Sequence, residues 1–368
     1  MDSKIFWVGF NLVKGIGAVR MQALQDYFGD LERAWNAPYQ SLCETGLNPK
    51  ICERIIQLRN QIDLEKYWQK IISQNIQVIT RDDVEYPRLL NEINQPPPVL
   101  YIKGSITLED EWAIAIVGTR KLTHYGRQAT EEFAKTLADH KITVVSGLAR
   151  GIDAVAHKAV IEAGGRTFAV LGSGVDRIYP SEHKLLADNI IQQGAVISDY
   201  APGTSPDSGN FPPRNRIISG LSRATIVIEA GEQSGALITA EFAADQGRDV
   251  YALPGSIFSP QSKGTNRLIQ NGAKPLIDIR DLLQDLQVEL IQERKDLIRS
   301  NPLDMFEQQI MDLLSQEPLH VDEITQMSHL PVSHVSAYLS ILELKGVARQ
   351  VGGMKYVSIH EKNEEYQA

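Results

Sequence analysis

The arrangement of apolar and polar positions changes character twice along the chain. Residues 1–75 read as helical, with segments near 17–28, 31–36, 50–59 and 62–74 joined by short turns. From 76 to about 280, short apolar runs rich in β-branched residues take over: WAIAIV at 112–117, ITVV at 142–145, TFAVL at 167–171, AVI at 195–197, ATIVI at 224–228 and DVYAL at 249–253. Helix-length segments at 126–140, 151–164, 181–193, 234–247 and 264–271 separate most of them. Alternation of this kind predicts an α/β, Rossmann-like parallel sheet covered by helices on both faces. Residues 76–110, with Pro96–Pro98, read as an extended lead-in packed on that sheet. A charged helix or linker follows at 281–303, then a unit at 304–360 with three helices and a hairpin turning at Gly352-Gly353, the order of a winged helix. The polar tail 361–368 reads as disordered.

Composition narrows the function classes. At 368 residues the chain suggests two or three domains. No apolar run approaches the roughly 20 residues that span a bilayer, and the first residues lack the apolar core of an export signal. A cytoplasmic protein without membrane contact is expected. Two cysteines, Cys43 and Cys52, cannot build a disulfide scaffold or a zinc site. The net charge of −9 is unevenly placed: residues 278–312 carry nine acids against four bases. Three windows hold bases and no acid: Arg120, Lys121 and Arg127 between Glu111 and Glu131; Arg214, Arg216 and Arg223 between Asp207 and Glu229; Lys263, Arg267 and Lys274 between Asp249 and Asp278. Binding responds to the local field rather than to the sum.

Candidate chemistry collects after the strands. Ligands of open α/β sheets bind beyond the carboxyl ends of the strands, where helix N-termini offer free N–H groups. Gly118-Thr119-Arg120 follows the first such strand: the glycine permits close approach, the threonine offers a hydroxyl and the guanidinium can fork onto a phosphate. Ser146–Asp153 repeats the design, and Asp153 and His157 stand one helical turn apart, as a buried structural pair would. Leu171-Gly172-Ser173-Gly174 begins like a dinucleotide fingerprint, but Arg177 occupies the third glycine's place, so NAD and other cofactors are not expected. Phe211-Pro212-Pro213-Arg214-Asn215-Arg216 joins a ring for base stacking to cations for phosphates, although internal pairing of one arginine, with Glu229 nearby, is expected. Ser234-Gly235 opens a helix, as does Gly264 beside Lys263. Together these loops would line one basic groove.

The blocks SGLARGIDAVAHKAV, LGSGVDRIYP, FPPRNRIISGLS, SGALITAEFAADQGR and ALPGSIFSPQSKGTNRLIQNGA resemble the DprA (Smf) DNA-processing family from about 80 to 278. The resemblance implies a protein that is no enzyme, binds single-stranded DNA without sequence specificity, self-associates through its core as a homodimer, and delivers the strand to the RecA recombinase in natural transformation. It also assigns Gly118, Thr119, Arg120 and Phe211 to the DNA groove. Many relatives carry a lysine three residues before that phenylalanine; Ser208 stands there in this chain, leaving the contact missing or supplied by Lys263.

The flanking regions read less sharply. Val13-Lys14-Gly15-Ile16-Gly17 resembles a helix–hairpin–helix (SAM-like) turn whose N–H groups can hold a phosphate, with a poorer copy at Thr45–Asn48. The winged helix offers Ser333, His334 and Ser336 on its would-be recognition helix, with no base before Lys345, which favours protein contact over DNA reading. The alternative is a nucleotide-processing enzyme of the nucleotide-hydrolase or lysine-decarboxylase-like class, using Gly231–Ala236 and Glu241.

Overall fold

The computed structural model describes residues 3–287, 304–314, 318–344, 347–351 and 353–358. They fall into two compact units, Met1–Ile279 and Arg280–Ala368. Among the described residues of the first unit, nine strands make one sheet: β1 Gln77–Thr80, β2 Val99–Gly104, β3 Ala113–Val117, β4 Thr143–Ser146, β5 Thr167–Val170, β6 Gly194–Ser198, β7 Ala224–Val227, β8 Asp249–Ala252 and β9 Lys274–Pro275. Their order is β1-β2-β6-β5-β4-β3-β7-β8-β9. The seven strands from β6 to β9 run parallel, and the order reverses between β3 and β7.

The six apolar runs are the strands β3 to β8, and they lack alternation because both faces of the sheet are covered. Along β2, Val99 and Tyr101 join one apolar cluster, Leu100 and Ile102 the other. The expected lead-in is more than a strap: β1 and β2 add to the sheet itself, antiparallel beside β6. Its proline segment is tied down where the Tyr86 hydroxyl donates to the Pro97 carbonyl at 2.8 Å.

The N-terminal region forms six helices, Lys4–Asn11, Ala18–Phe28, Leu31–Asn36, Tyr39–Glu44, Pro49–Gln61 and Leu64–Ser73. Lys4–Asn11 is absent from the sequence reading because it has almost no polar face. Ile5 to Phe10 are all buried, wedged between the other helices and β1 and β2. Trp7, Phe10, Leu24 and Trp35 belong to the same cluster as Tyr101, Leu186 and Val196, so helical layer and sheet share one core. Polar ties reach the carboxyl edge: Tyr67 donates to the Pro202 carbonyl at 2.8 Å, and Asn11 to that of Asp199 at 3.4 Å.

The second unit has helices Met305–Leu313, Val321–Ser328 and Val332–Leu344 and a sheet of Leu319–His320, Lys355–Ser358 and Ala348–Gln350 in that order. Ile310, Ile324, Val335, Leu339 and Leu342 form its core. This is the expected winged helix. Of the expected linker, residues 288–303 lie outside the described residues, as do Gly352 of the hairpin turn and the tail from 359.

Asp153 and His157 do not pair. Asp153 Oδ2 accepts from the backbone N–H groups of Gly147 and Ala149, at 3.1 and 3.2 Å. His157 lies fully buried in the helix Ile152–Glu162 and meets Thr167 Oγ1 through Nδ1 at 2.7 Å. Because that hydroxyl donates to the Val144 carbonyl, Nδ1 carries the proton, and Nε2 has no hydrogen-bond partner among the described residues. Burial pushes the His157 pKa down to about 3, helped by His183 and Arg214 nearby. The folded state therefore holds the ring neutral, whereas the unfolded chain protonates it below about pH 6.5. Stability from this site is complete above that pH and declines as the pH falls toward 3. Denaturant titrations should show the parent losing about 2 kcal/mol more than His157→Leu between about pH 7.5 and about pH 5. Identical pH dependence would remove histidine as the cause.

Candidate nucleic-acid interface

Strands β3, β4, β6, β7 and β8 each hand the chain to a helix at the carboxyl edge, so helices His124–Asp139, Ile152–Glu162, Phe211–Gly220, Gly235–Asp245 and Lys263–Gln270 all begin there. Their N-termini give this edge a positive potential. Beyond the reversal point between β3 and β7, Glu229 stitches the two strand ends together. Its carbonyl accepts from Thr119 N–H at 2.7 Å. Its buried carboxylate accepts the N–H of Thr123 at 2.9 Å and the Thr123 hydroxyl at 2.5 Å. That hydroxyl accepts from Gly126 N–H in turn and caps the first of these helices. Glu229 is therefore occupied with a helix start and is not the partner expected for Arg214 or Arg216.

The Gly118-Thr119-Arg120 loop is held from both sides. Thr119 O accepts from Ile152 N–H at 3.2 Å, and Thr119 Oγ1 accepts from Lys121 N–H at 3.2 Å. Gly151 packs beneath with φ +85°, and a Cβ there would lie 2.3 Å from the Thr119 carbonyl oxygen. Only glycine allows both that conformation and that approach. The result is a fixed pedestal for Arg120, which is exposed and makes no hydrogen bond or ion pair with the described residues.

Arg214 is the opposite case. FPPRNRIISG, read from sequence without a helix, forms Phe211–Gly220, with its prolines in the first turn where a missing N–H leaves no bond unmade. The helix drives the Arg214 side chain into the edge, 6% exposed, where Nη1 donates to the carbonyls of Gly147, at 3.1 Å, and Val170. Burial lowers its pKa to about 10, against the opposing pull of Asp153 and Asp199. Burial likewise raises the Asp153 carboxyl, with Arg214 opposing. An arginine so placed offers nothing to a strand in solvent, which corrects its assignment as a direct phosphate contact. Arg216 is tied as well, through Nη2 to Asp199 at 2.8 Å and Nη1 to the Gln95 carbonyl at 3.1 Å. Asn215 donates to the Gly235 carbonyl at 3.3 Å. Ser234 caps its helix through Ala236 N–H, while Gly235 is exposed.

Phe211 lies half-buried against the backbone of Gly172, where a Cβ would come within 2.8 Å of the ring. Tyr179 stacks beside it, centroids 5.6 Å apart and planes 26° from parallel, and is itself 41% exposed. Tyr179, the penultimate residue of LGSGVDRIYP, is not legible from sequence as a partner of Phe211, because nothing in the pattern joins positions 32 residues apart. The pair forms an aromatic shelf beyond β5. Arg120 stands beyond β3, two strand spacings away, roughly 10 Å.

The remaining cations separate. Lys263 lies beyond β7 and β8, 51% exposed and 3.9 Å from Glu232. With β4 and β3 between them, it does not replace a lysine at the exposed Ser208 beside Phe211. Arg223 sits at the amino end of β7, its guanidinium 3.8 Å from the Trp112 ring centroid, so the second acid-free window does not feed one groove. Glu241, weighed for nucleotide hydrolysis, is exposed on helix Gly235–Asp245. No group of His, Cys, Asp and Glu among the described residues could hold a metal ion. No described helix is long and apolar enough to cross a membrane.

Comparison with known proteins places this architecture. The family model for DNA recombination-mediator protein A matches residues 77–287, and that for the DprA winged helix domain matches 299–354. Protein Smf of Synechocystis is 37% identical over 96% of this chain and 98% of its own length. The DNA processing protein DprA of Streptococcus pneumoniae is 42% identical over 65% of this chain and 83% of its own. Its X-ray structure superposes with a TM-score of 0.67, covering 77% of this chain and 97% of that one. A Helicobacter pylori DprA structure, described for its single-stranded DNA binding mode, matches with a TM-score of 0.53 at 30% identity over 58% of this chain and 97% of that one. With a family model matching more than half of the chain and a relative 37% identical over nearly all of it, the chain belongs to the DNA recombination-mediator protein A (DprA/Smf) family.

Proposed function

We propose that this protein binds single-stranded DNA along the carboxyl edge of its sheet, without sequence specificity, and delivers it to a RecA-type recombinase during DNA uptake, acting as a homodimer and without catalysis. The observation that carries the reading is the pairing of one cation with no partner in the described chain, Arg120, with the Tyr179–Phe211 shelf on the same edge. Any base has a π face, and any nucleotide has a phosphate, so this combination selects an unpaired strand without reading its sequence. The H. pylori relative's described binding of single-stranded DNA supports it. The winged helix fits a protein-contact role better than DNA reading. Its helix Val332–Leu344 has no lysine or arginine, and Phe306, Tyr338 and His334 cluster there instead.

Titration with single-stranded oligonucleotides at several salt concentrations separates the roles. Arg120→Ala should weaken binding by roughly 1.5–3 kcal/mol and reduce the slope of log K against log salt by about 0.7. Tyr179→Ala and Phe211→Ala should each cost roughly 1–3 kcal/mol and leave the slope unchanged, because no counterion release is lost. Parent-like binding by both aromatic variants would sink the stacking half of the reading. Equal affinity for duplex and single strand would sink the strand selectivity.

Arg214→Ala should behave differently. Removing the buried guanidinium leaves the Gly147 and Val170 carbonyls without its hydrogen bonds and Asp153 without a nearby opposite charge, a cost of about 1–3 kcal/mol, so the thermal midpoint should fall, whereas Arg120→Ala should leave it unmoved. A chain ending at Arg280 should keep most of the affinity for single strands. Loss of binding by that folded truncation would move the site into the second unit.

A further inference from the structure

A second concentration of unmatched positive charge lies in the helical layer, outside the matched family domains. The turn between helices Lys4–Asn11 and Ala18–Phe28 is pinned by Val13 and Ile16, both buried, which leaves Lys14 and Gly15 facing solvent. Gly15 has φ +102°, and the Ile16 N–H already donates within the turn, to Val13 at 3.0 Å. That N–H is thus not available to hold a phosphate as expected from sequence.

Two guanidiniums from different helices converge on this turn. Arg20, from Ala18–Phe28, donates through Nη1 to the Gly15 carbonyl. Arg54, from Pro49–Gln61, donates through Nη1 to the Lys14 carbonyl at 3.0 Å. A Cβ built on Gly15 would lie 3.6 Å from Arg20 Nη1 and 3.7 Å from Arg54 Nη1. Neither arginine has a carboxylate partner among the described residues, and both are exposed. By contrast Arg33, Arg127, Arg150, Arg166, Arg216 and Arg248 are each paired with an acid. Lys50 is exposed one helical turn before Arg54, and Lys14 is exposed on the turn itself. Like charges held this close repel unless an anion sits between them. Each carbonyl bond engages Nη1 alone, and the Nε and Nη2 donors of these exposed side chains make no hydrogen bond with the described residues, which leaves them for phosphate oxygens.

We propose that Arg20 and Arg54, flanked by Lys14 and Lys50, form a second nucleic-acid contact that grips the phosphodiester backbone alone. The site rests on the reading that this protein binds nucleic acid, and it is distinct from the sheet-edge groove. It lets a strand longer than the groove be held at two separate places on the first unit.

The test uses the full chain, with Arg20→Ala/Arg54→Ala, Arg20→Lys/Arg54→Lys and Arg120→Ala compared with the parent. Single strands of about 6 and about 40 nucleotides and a duplex are titrated across salt concentrations. The double alanine variant should bind the short strand like the parent and the long strand several-fold more weakly. Its long-strand salt slope should be shallower by about 1.4, two phosphates at about 0.7 each. The lysine variant should recover most of the slope. A duplex affinity that falls in the same variant by as much as the long strand's identifies backbone charge as the feature recognised; a loss confined to the long single strand identifies that strand's path across the turn. Unchanged affinity and slope for both long ligands in the double alanine variant, while Arg120→Ala still weakens binding, would overturn the second site and leave the groove standing. If the parent binds no oligonucleotide, the functional reading fails, and the site is judged by the Arg20 and Arg54 Nε–Hε resonances. Inorganic pyrophosphate should move them, and unmoved resonances would overturn it independently.

Discussion

A single buried guanidinium organises the carboxyl edge. Arg214 leaves the first turn of its helix, enters the sheet between the ends of β4 and β5, and gathers the Gly147 and Val170 carbonyls around one charge. An isolated buried charge is very costly, so the surroundings must supply both hydrogen bonds and an opposite charge, here Asp153 and Asp199. Burial outweighs pairing for both Arg214 and Asp153, whose pKa values move against their charged forms. Opposite charges buried near each other in this way contribute little net stability. What it does is fix geometry: once Arg214 is seated, Phe211 three residues earlier has to lie on Gly172 with Tyr179 beside it.

The same logic separates the two edges of the sheet. At the amino edge the cations are satisfied internally, Arg166 by Asp110 at 2.7 Å and Arg223 by the Trp112 ring. At the carboxyl edge Arg150 is paired with Glu182 and Arg216 with Asp199, while Arg120 stands alone among the described residues on a pedestal that glycine makes possible. A field that attracts phosphate depends on which charges remain uncompensated, and counting bases along the chain cannot tell these apart. A chain of net charge −9 can in this way leave an uncompensated cation on one edge.

Six of the seven parallel strands and the winged helix were legible because apolar runs and turn residues report them directly. The helix Lys4–Asn11 was not, since burial on every side erases the amphipathic period by which helices are recognised. Nor was the helix Phe211–Gly220, whose adjacent prolines read as a break although they sit at the one place in a helix that tolerates them. At the site, Gly118, Thr119, Arg120 and Phe211 lie on the expected edge. Arg214 and Arg216 illustrate what composition hides: the residue type best suited to phosphate is also the one best suited to binding strand-end carbonyls, and only packing decides between the two.

The lone arginine and the aromatic shelf also constrain what else the edge can do. Acid–base or nucleophilic chemistry requires a titratable group in contact with substrate and held near its working pKa. The carboxylates closest to the groove are engaged otherwise: Glu229 caps a helix, Asp153 holds two backbone N–H groups, and Asp199 is paired with Arg216. His157 is buried with its pKa driven far below neutrality. Each of these groups maintains the shape of the edge, and each would have to abandon that task to reach a ligand.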